Sequence, residues 1–81
     1  MEIKYKNIIK VFDRNNQNEN YLRISDITNI NKVYDVVSKI WNIYVSTNKW
    51  CESEAYENKE ECDSKFKELL EVWDKDINDG K

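Results

Sequence analysis

The last third of the chain carries a one-sided apolar stripe: Cys62, Phe66, Leu69, Leu70, Trp73 and Ile77 recur at steps of three, four and seven residues. That spacing belongs to one face of an amphipathic helix and predicts a helix over residues 58–77. Asn58 followed three residues later by Glu61 matches a capping box, and Gly80 follows the end. A one-sided helix must bury its stripe against something. With 81 residues the chain supports a single core, so one domain over residues 1–81 is expected, and the covering surface has to come from residues 1–57.

Residues 3–12 alternate. Ile3, Tyr5, Ile9 and Val11 fall on one side and Lys4, Lys6 and Lys10 on the other, with Asn7, Ile8 and Phe12 interrupting the pattern. Period-2 alternation marks a half-buried strand. The polar, Asn-rich segment from Asp13 to Asn20 reads as a hairpin loop longer than two residues, because Asn tolerates left-handed backbone. Tyr21 to Ser25 would return as the second strand with Leu22 and Ile24 inward, closing a hairpin over about residues 3–25. A lone two-stranded hairpin is marginal and has to lean on other elements.

Residues 30–46 fit a helical wheel despite their β-branched content. Asn31, Lys32, Asp35, Ser38, Lys39, Asn42 and Ser46 gather in one arc, and ten apolar residues from Ile30 to Val45 fill the rest. This predicts a first helix, capped by Asp26, Thr28 or Asn29, whose apolar arc is wide enough for two neighbours. Residues 47–57 are then a polar connection carrying Trp50, Cys51 and Tyr56. The expected fold is α+β, a two-stranded antiparallel hairpin packed on two amphipathic helices.

Composition narrows the chemistry. The chain is 40% hydrophobic and contains ten aromatic residues, too many for a disordered tail, and it has no His, no Pro and one Gly. This depletion, beside an excess of Asn, Ile and Lys, matches codon bias in an AT-rich genome. Without His there is no serine triad, no Cys-His pair and no His-containing zinc site. With Gly only at position 80 there is no glycine-rich phosphate loop. Cys51 and Cys62 are not at metal-knuckle spacing and cannot alone fill a tetrahedral zinc site; the simplest reading of Cys62 is a reduced core thiol. Residues 74–80 echo the start of a calcium loop, but Gly80 comes one position late and no bidentate Glu follows. A non-enzymatic protein without metal or cofactor is therefore expected. No run approaches the ~18 apolar residues of a membrane span, and the first residues lack the apolar region of a secretory signal, so a cytoplasmic location is expected.

The net charge of −3 conceals an asymmetry. Residues 1–50 carry eight cations and five anions, a balance of +3, whereas residues 51–81 carry five Lys and eleven acids, a balance of −6. On the wheel of the second helix, Glu57, Glu60, Glu61, Glu68 and Glu71 lie opposite the apolar stripe. Such a row is either a solvated face, with Glu61–Lys65, Asp63–Lys67 and Glu71–Lys75 as i,i+4 pairs, or a recognition surface for a protein partner with a basic groove. Trp50 and Tyr56 belong to neither helix stripe; they either cap the core or stand as exposed anchors beside the row. Lys4, Lys6, Lys10 and Arg23, with Tyr21 and Phe12, would line the outer hairpin face. Basic and aromatic residues together suit single-stranded nucleic acid, but lysines also guard sheet edges, and a pI of about 4.9 argues against direct nucleic-acid binding.

In its size, acid-rich helix, hairpin and lack of catalytic groups, the chain resembles the small phage-encoded inhibitors of bacterial defence, the anti-CRISPR proteins above all, although no motif is shared. The resemblance implies a stoichiometric blocker in the host cytoplasm that occupies a nuclease's DNA-binding groove with Glu57, Glu60, Glu61, Glu68 and Glu71. Two alternatives stand beside it. One is a structural or regulatory module that homo-oligomerises, for instance as a homodimer, through the wide apolar arc of the first helix or the exposed hairpin edge. The other is a nucleic-acid-binding accessory protein using the basic hairpin face.

Overall fold

The computed structural model describes residues 1–4, 7–13 and 18–79. These form six strands in two three-stranded antiparallel sheets, followed by one C-terminal helix. The expected hairpin on two helices is overturned, because the described residues are mostly sheet and contain one long helix, the C-terminal one.

The first sheet is built from β1 (Glu2–Lys4), β2 (Ile8–Asp13) and β3 (Asn18–Arg23), with β2 in the middle. The segment read as one strand over residues 3–12 is thus two strands, which pair Glu2 with Lys10 and Lys4 with Ile8. The turn between them includes Asn7, the residue that broke the apolar alternation, and its carbonyl accepts the Ile24 N–H at 2.9 Å. Tyr5 and Lys6 lie outside the described residues. β2 and β3 pair from Ile8 with Arg23 to Asp13 with Asn18. Ile9, Val11 and Leu22 face inward and are buried, as alternation requires. The returning strand stops at Arg23, and Ile24–Asp26 form a 3-10 turn that buries Ile24 and leads into the second sheet.

The second sheet occupies the region where a first helix was expected. It comprises β4 (Ile27–Asp35), β5 (Ile40–Thr47) and β6 (Cys51–Tyr56), with β5 central. β4 and β5 pair Ile30 with Val45, Lys32 with Ile43 and Tyr34 with Trp41. The helical wheel misleads here because a four-residue turn, residues 36–39, separates two alternating strands. The turn shifts the phase of the alternation, so the polar residues on either side fall on one helical arc. Abundant Ile and Val were the competing signal, since stiff β-branched side chains pack well on a pleated surface. The bulk of the sequence connection, residues 51–56, is the third strand of this sheet.

β6 points Glu52, Glu54 and Tyr56 toward the first sheet and α1, alternating with Cys51, Ser53 and Ala55. The two carboxylates join the sheets. Glu52 accepts from the Asn20 amide at 3.1 Å, and Glu54 pairs with the Met1 ammonium. That ammonium also donates to the Tyr56 hydroxyl at 2.6 Å.

The C-terminal helix α1 runs Lys59–Asp79, close to the span the stripe predicts. Asn58 caps it: its Oδ1 accepts the Glu61 N–H at 3.1 Å, and its carbonyl accepts the first helical bond from Cys62 at 3.1 Å. Cys62 and Leu69 are fully buried, with Phe66, Val72 and Trp73 packed beside them. Leu70 and Ile77, at the edge and the end of the stripe, remain exposed, and Gly80 lies outside the described residues. Core residues come from the first sheet (Ile9, Val11, Leu22), the second (Ile30, Ile43, Val45) and the helix (Cys62, Leu69).

Candidate protein-contact site

The outward face of α1 carries Glu60, Glu61, Glu68 and Glu71, and Glu57 precedes the helix; all five are exposed. At ~100° and ~1.5 Å per residue, the four helical carboxylates fall within an arc of about 100° and span about 16 Å. Lys75 lies inside that arc and Lys67 at its rim.

The expected i,i+4 pairs do not form the pattern seen. Among the described residues, Lys65 pairs with Glu68 at 3.3 Å, whereas Asp63 takes both Lys59 at 2.7 Å and Lys32 of β4 at 2.6 Å. Glu57, Glu60, Glu61 and Glu71 make no ion pair among the described residues. Their charge is directed at solvent. The Asp63 carboxyl is held below its ordinary range by hydrogen bonds from Lys32 and then Lys59, so it ties the start of the helix to the sheet. Lys32 Nζ also stands 5.1 Å from the Phe66 ring centroid and 5.7 Å from that of Trp41, and Lys59 Nζ is 5.6 Å from Trp41. The helix that presents the row is therefore fixed by its cap, its buried stripe and this cluster.

The two aromatic candidates separate. Tyr56 is 7% exposed; burial first, and the charge of Glu54 next, push its phenol well above the ordinary range. It belongs to the core and is not an exposed anchor. Trp50 is 57% exposed on the turn between β5 and β6, at a cavity to which α1 contributes no lining residue. Tyr56 thus takes the core-capping alternative, while Trp50 stands exposed, as an anchor requires, on a turn whose cavity shares no residue with the row.

An apolar tip, unmarked in the sequence, stands at the β4–β5 turn. Val36 and Val37, expected inside a helical arc, are 74% and 89% exposed on the β4–β5 turn, and Val33 and Tyr34 below them are exposed too. The turn is held by Asp35, whose carboxylate accepts from Val37 N–H at 2.9 Å and Ser38 N–H at 3.4 Å, while its carbonyl accepts Lys39 N–H at 2.8 Å. These bonds hold the Asp35 carboxyl below its ordinary range. An acidic residue three positions before a polar Ser-Lys pair was the available signal, but without Gly or Pro it does not stand out as a turn.

The basic hairpin face is present and partly paired. Lys4 pairs with Glu2 at 3.1 Å and Lys10 with Glu19 at 3.2 Å on the same outer face as Phe12, Tyr21 and Arg23. Lys6 lies outside the described residues. Cys51 is exposed and Cys62 buried, both free, and burial pushes the Cys62 thiol up. Among the described residues there is no group of three or more His, Cys, Asp or Glu placed to hold a metal, and no helix long and apolar enough to cross a membrane. Comparison with protein-family models, curated proteins and solved structures found no match.

Proposed function

We propose that this chain is a non-enzymatic protein-binding inhibitor that docks the acidic face of α1 on the basic groove of a nucleic-acid-binding partner, such as a bacterial defence nuclease met by a phage or mobile element. The observation that carries the reading is the set of exposed carboxylates at Glu57, Glu60, Glu61 and Glu71, without ion-pair partners among the described residues and on or beside a helix anchored at its other face. A rigid row of negative charge suits a groove built for a polyanion, speeds encounter and discriminates against acidic surfaces. The helix supports this function on its own, since the hairpin-and-two-helix architecture behind the anti-CRISPR resemblance is not the fold found.

Affinity capture from a bacterial lysate with the wild type and the E60K/E61K/E68K/E71K variant tests it. The wild type should retain a nucleic-acid-binding protein that raised salt and the variant both release, and nucleic acid should compete for that protein. Identical retention by the two chains would sink the proposal. A homodimeric module is the second reading, favoured by the exposed valine tip and by β4, which among the described residues pairs along one edge only. Residues 30–46 form strands and a turn, so no wide helical arc is available to drive it. Sedimentation as a 9.8 kDa monomer at micromolar concentration would dismiss it.

A further inference from the structure

The end of β3, the 3-10 turn and the β5–β6 turn enclose a cavity of about 480 Å³, within the range of small-ligand sites. Tyr21, Arg23, Asp26, Lys49 and Trp50 line it. Tyr21 and Trp50 are 55% and 57% exposed and stand outside the hydrophobic core. Two large, half-exposed aromatic rings that line one cavity contribute little to folding, whereas each can offer a π face to a planar ring.

The walls are fixed before any ligand arrives. Thr47 N–H donates to the Trp50 carbonyl at 2.8 Å, and Thr47 Oγ1 accepts the N–H groups of Lys49 and Trp50, each at 3.3 Å. The turn carrying Lys49 and Trp50 is thereby locked. On β3, Tyr21 is held by its hydroxyl donating to Glu19 at 3.1 Å. Arg23 and Lys49 make no ion pair among the described residues, so against the single carboxylate of Asp26 the lining carries one excess positive charge.

We infer that this cavity is a nucleotide site: Tyr21 and Trp50 take the base, Arg23 and Lys49 the phosphate, and Asp26 accepts hydrogen bonds from ribose hydroxyls or a ring N–H. Asp26 disfavours a polyphosphate tail, so the ligand is a monophosphate unit, free or within a single strand. The overall acidity of the chain opposes long electrostatic tracking along a strand but not one unit held in a cationic pocket. The site shares no lining residue with the acidic row, and the two proposals fail independently.

Amide chemical-shift titration tests it, using AMP, UMP and the short oligomers rA4 and rU4 at low salt, with ribose 5-phosphate and adenosine as half-ligands. Saturable shifts confined to residues 21–28 and 47–50 are expected, with each half-ligand weaker than the nucleotide. Tighter binding of the mononucleotides marks a free nucleotide as ligand; tighter binding of the oligomers marks a single strand. Trp50→Ala and, as a second exposed position, Tyr21→Ala should each weaken binding roughly tenfold. Arg23→Ala should weaken it and flatten its salt dependence. The E60K/E61K/E68K/E71K variant should bind as the wild type does. The inference is overturned if no nucleotide or oligomer shifts these amides at millimolar concentration, if shifts map elsewhere, or if none of the three alanine variants weakens binding.

Discussion

Lys39 closes the β4–β5 turn at φ 60°, the left-handed region that a residue with a Cβ occupies at a cost of about 1–3 kcal/mol. Replacing it by Gly removes that cost and returns part of it as unfolded-chain entropy. Lys39→Gly should therefore stabilise the protein by about 1 kcal/mol, measured as a higher urea midpoint at constant slope. The two thiols differ in access. Cys51 is exposed, while Cys62 is buried with its thiol pushed up by desolvation. A thiol-reactive reagent should label one cysteine rapidly in the native protein and two in denaturant, because the thiolate is the reacting form and needs access. The reduced core role of Cys62 was readable from its place on the stripe; the exposure of Cys51 was not, since nothing in its neighbours marks the outer face of a strand.

Among the elements, the contact between β4 and α1 has a pH signature. The Asp63 carboxyl lies below its ordinary value near 3.8 because Lys32 and Lys59 hydrogen-bond to it. A depressed carboxylate contributes stability that is present above its unfolded value and lost as pH falls through its folded one. Asp63→Asn should then be less stable than the wild type at neutral pH, with the gap closing below about pH 3.8; thermal melts across pH 2–7 would follow it. The valine tip behaves differently. Val36→Ser and Val37→Ser remove exposed side chains and should change stability by no more than about 0.5 kcal/mol, so any loss of self-association or partner binding would be a direct surface effect.

Legibility differs by element for a physical reason. α1 announces itself because one face is apolar and the other charged. β6 was invisible because Cys-Glu-Ser-Glu-Ala-Tyr turns its acids inward, where Asn20 and the Met1 ammonium receive them, so hydropathy marks neither face. β4 and β5 were read as one helix because their joining turn lacks the Gly or Pro that would have punctuated the pattern.

For the whole molecule, the buried residues of both sheets and the helix form one cluster. Leu69→Ala should cost about 2–5 kcal/mol, the usual range for a buried Leu truncation. The loss should appear in a single transition, with helix circular dichroism coincident with the fluorescence of the core-packed Trp41 and Trp73. Separate transitions would show that α1 melts independently of the sheets.

The order of the residues determined the charge asymmetry, the C-terminal helix with its Asn58 cap, the inward faces of β2 and β3 and the lack of His-dependent chemistry. These follow from local periodicity and composition, which need no knowledge of distant partners. The acidic residues of the candidate row were likewise named from a helical wheel alone. Only the tertiary structure decided that Asp63 is spent on Lys32 and Lys59, that Tyr56 is core, that Val36 and Val37 stand in solvent and that Tyr21 and Trp50 share a cavity. Most of these depend on which segments meet across the chain, and a strand's partner fixes what its two faces meet. A sequence without turn-forming Gly or Pro leaves that pairing unmarked.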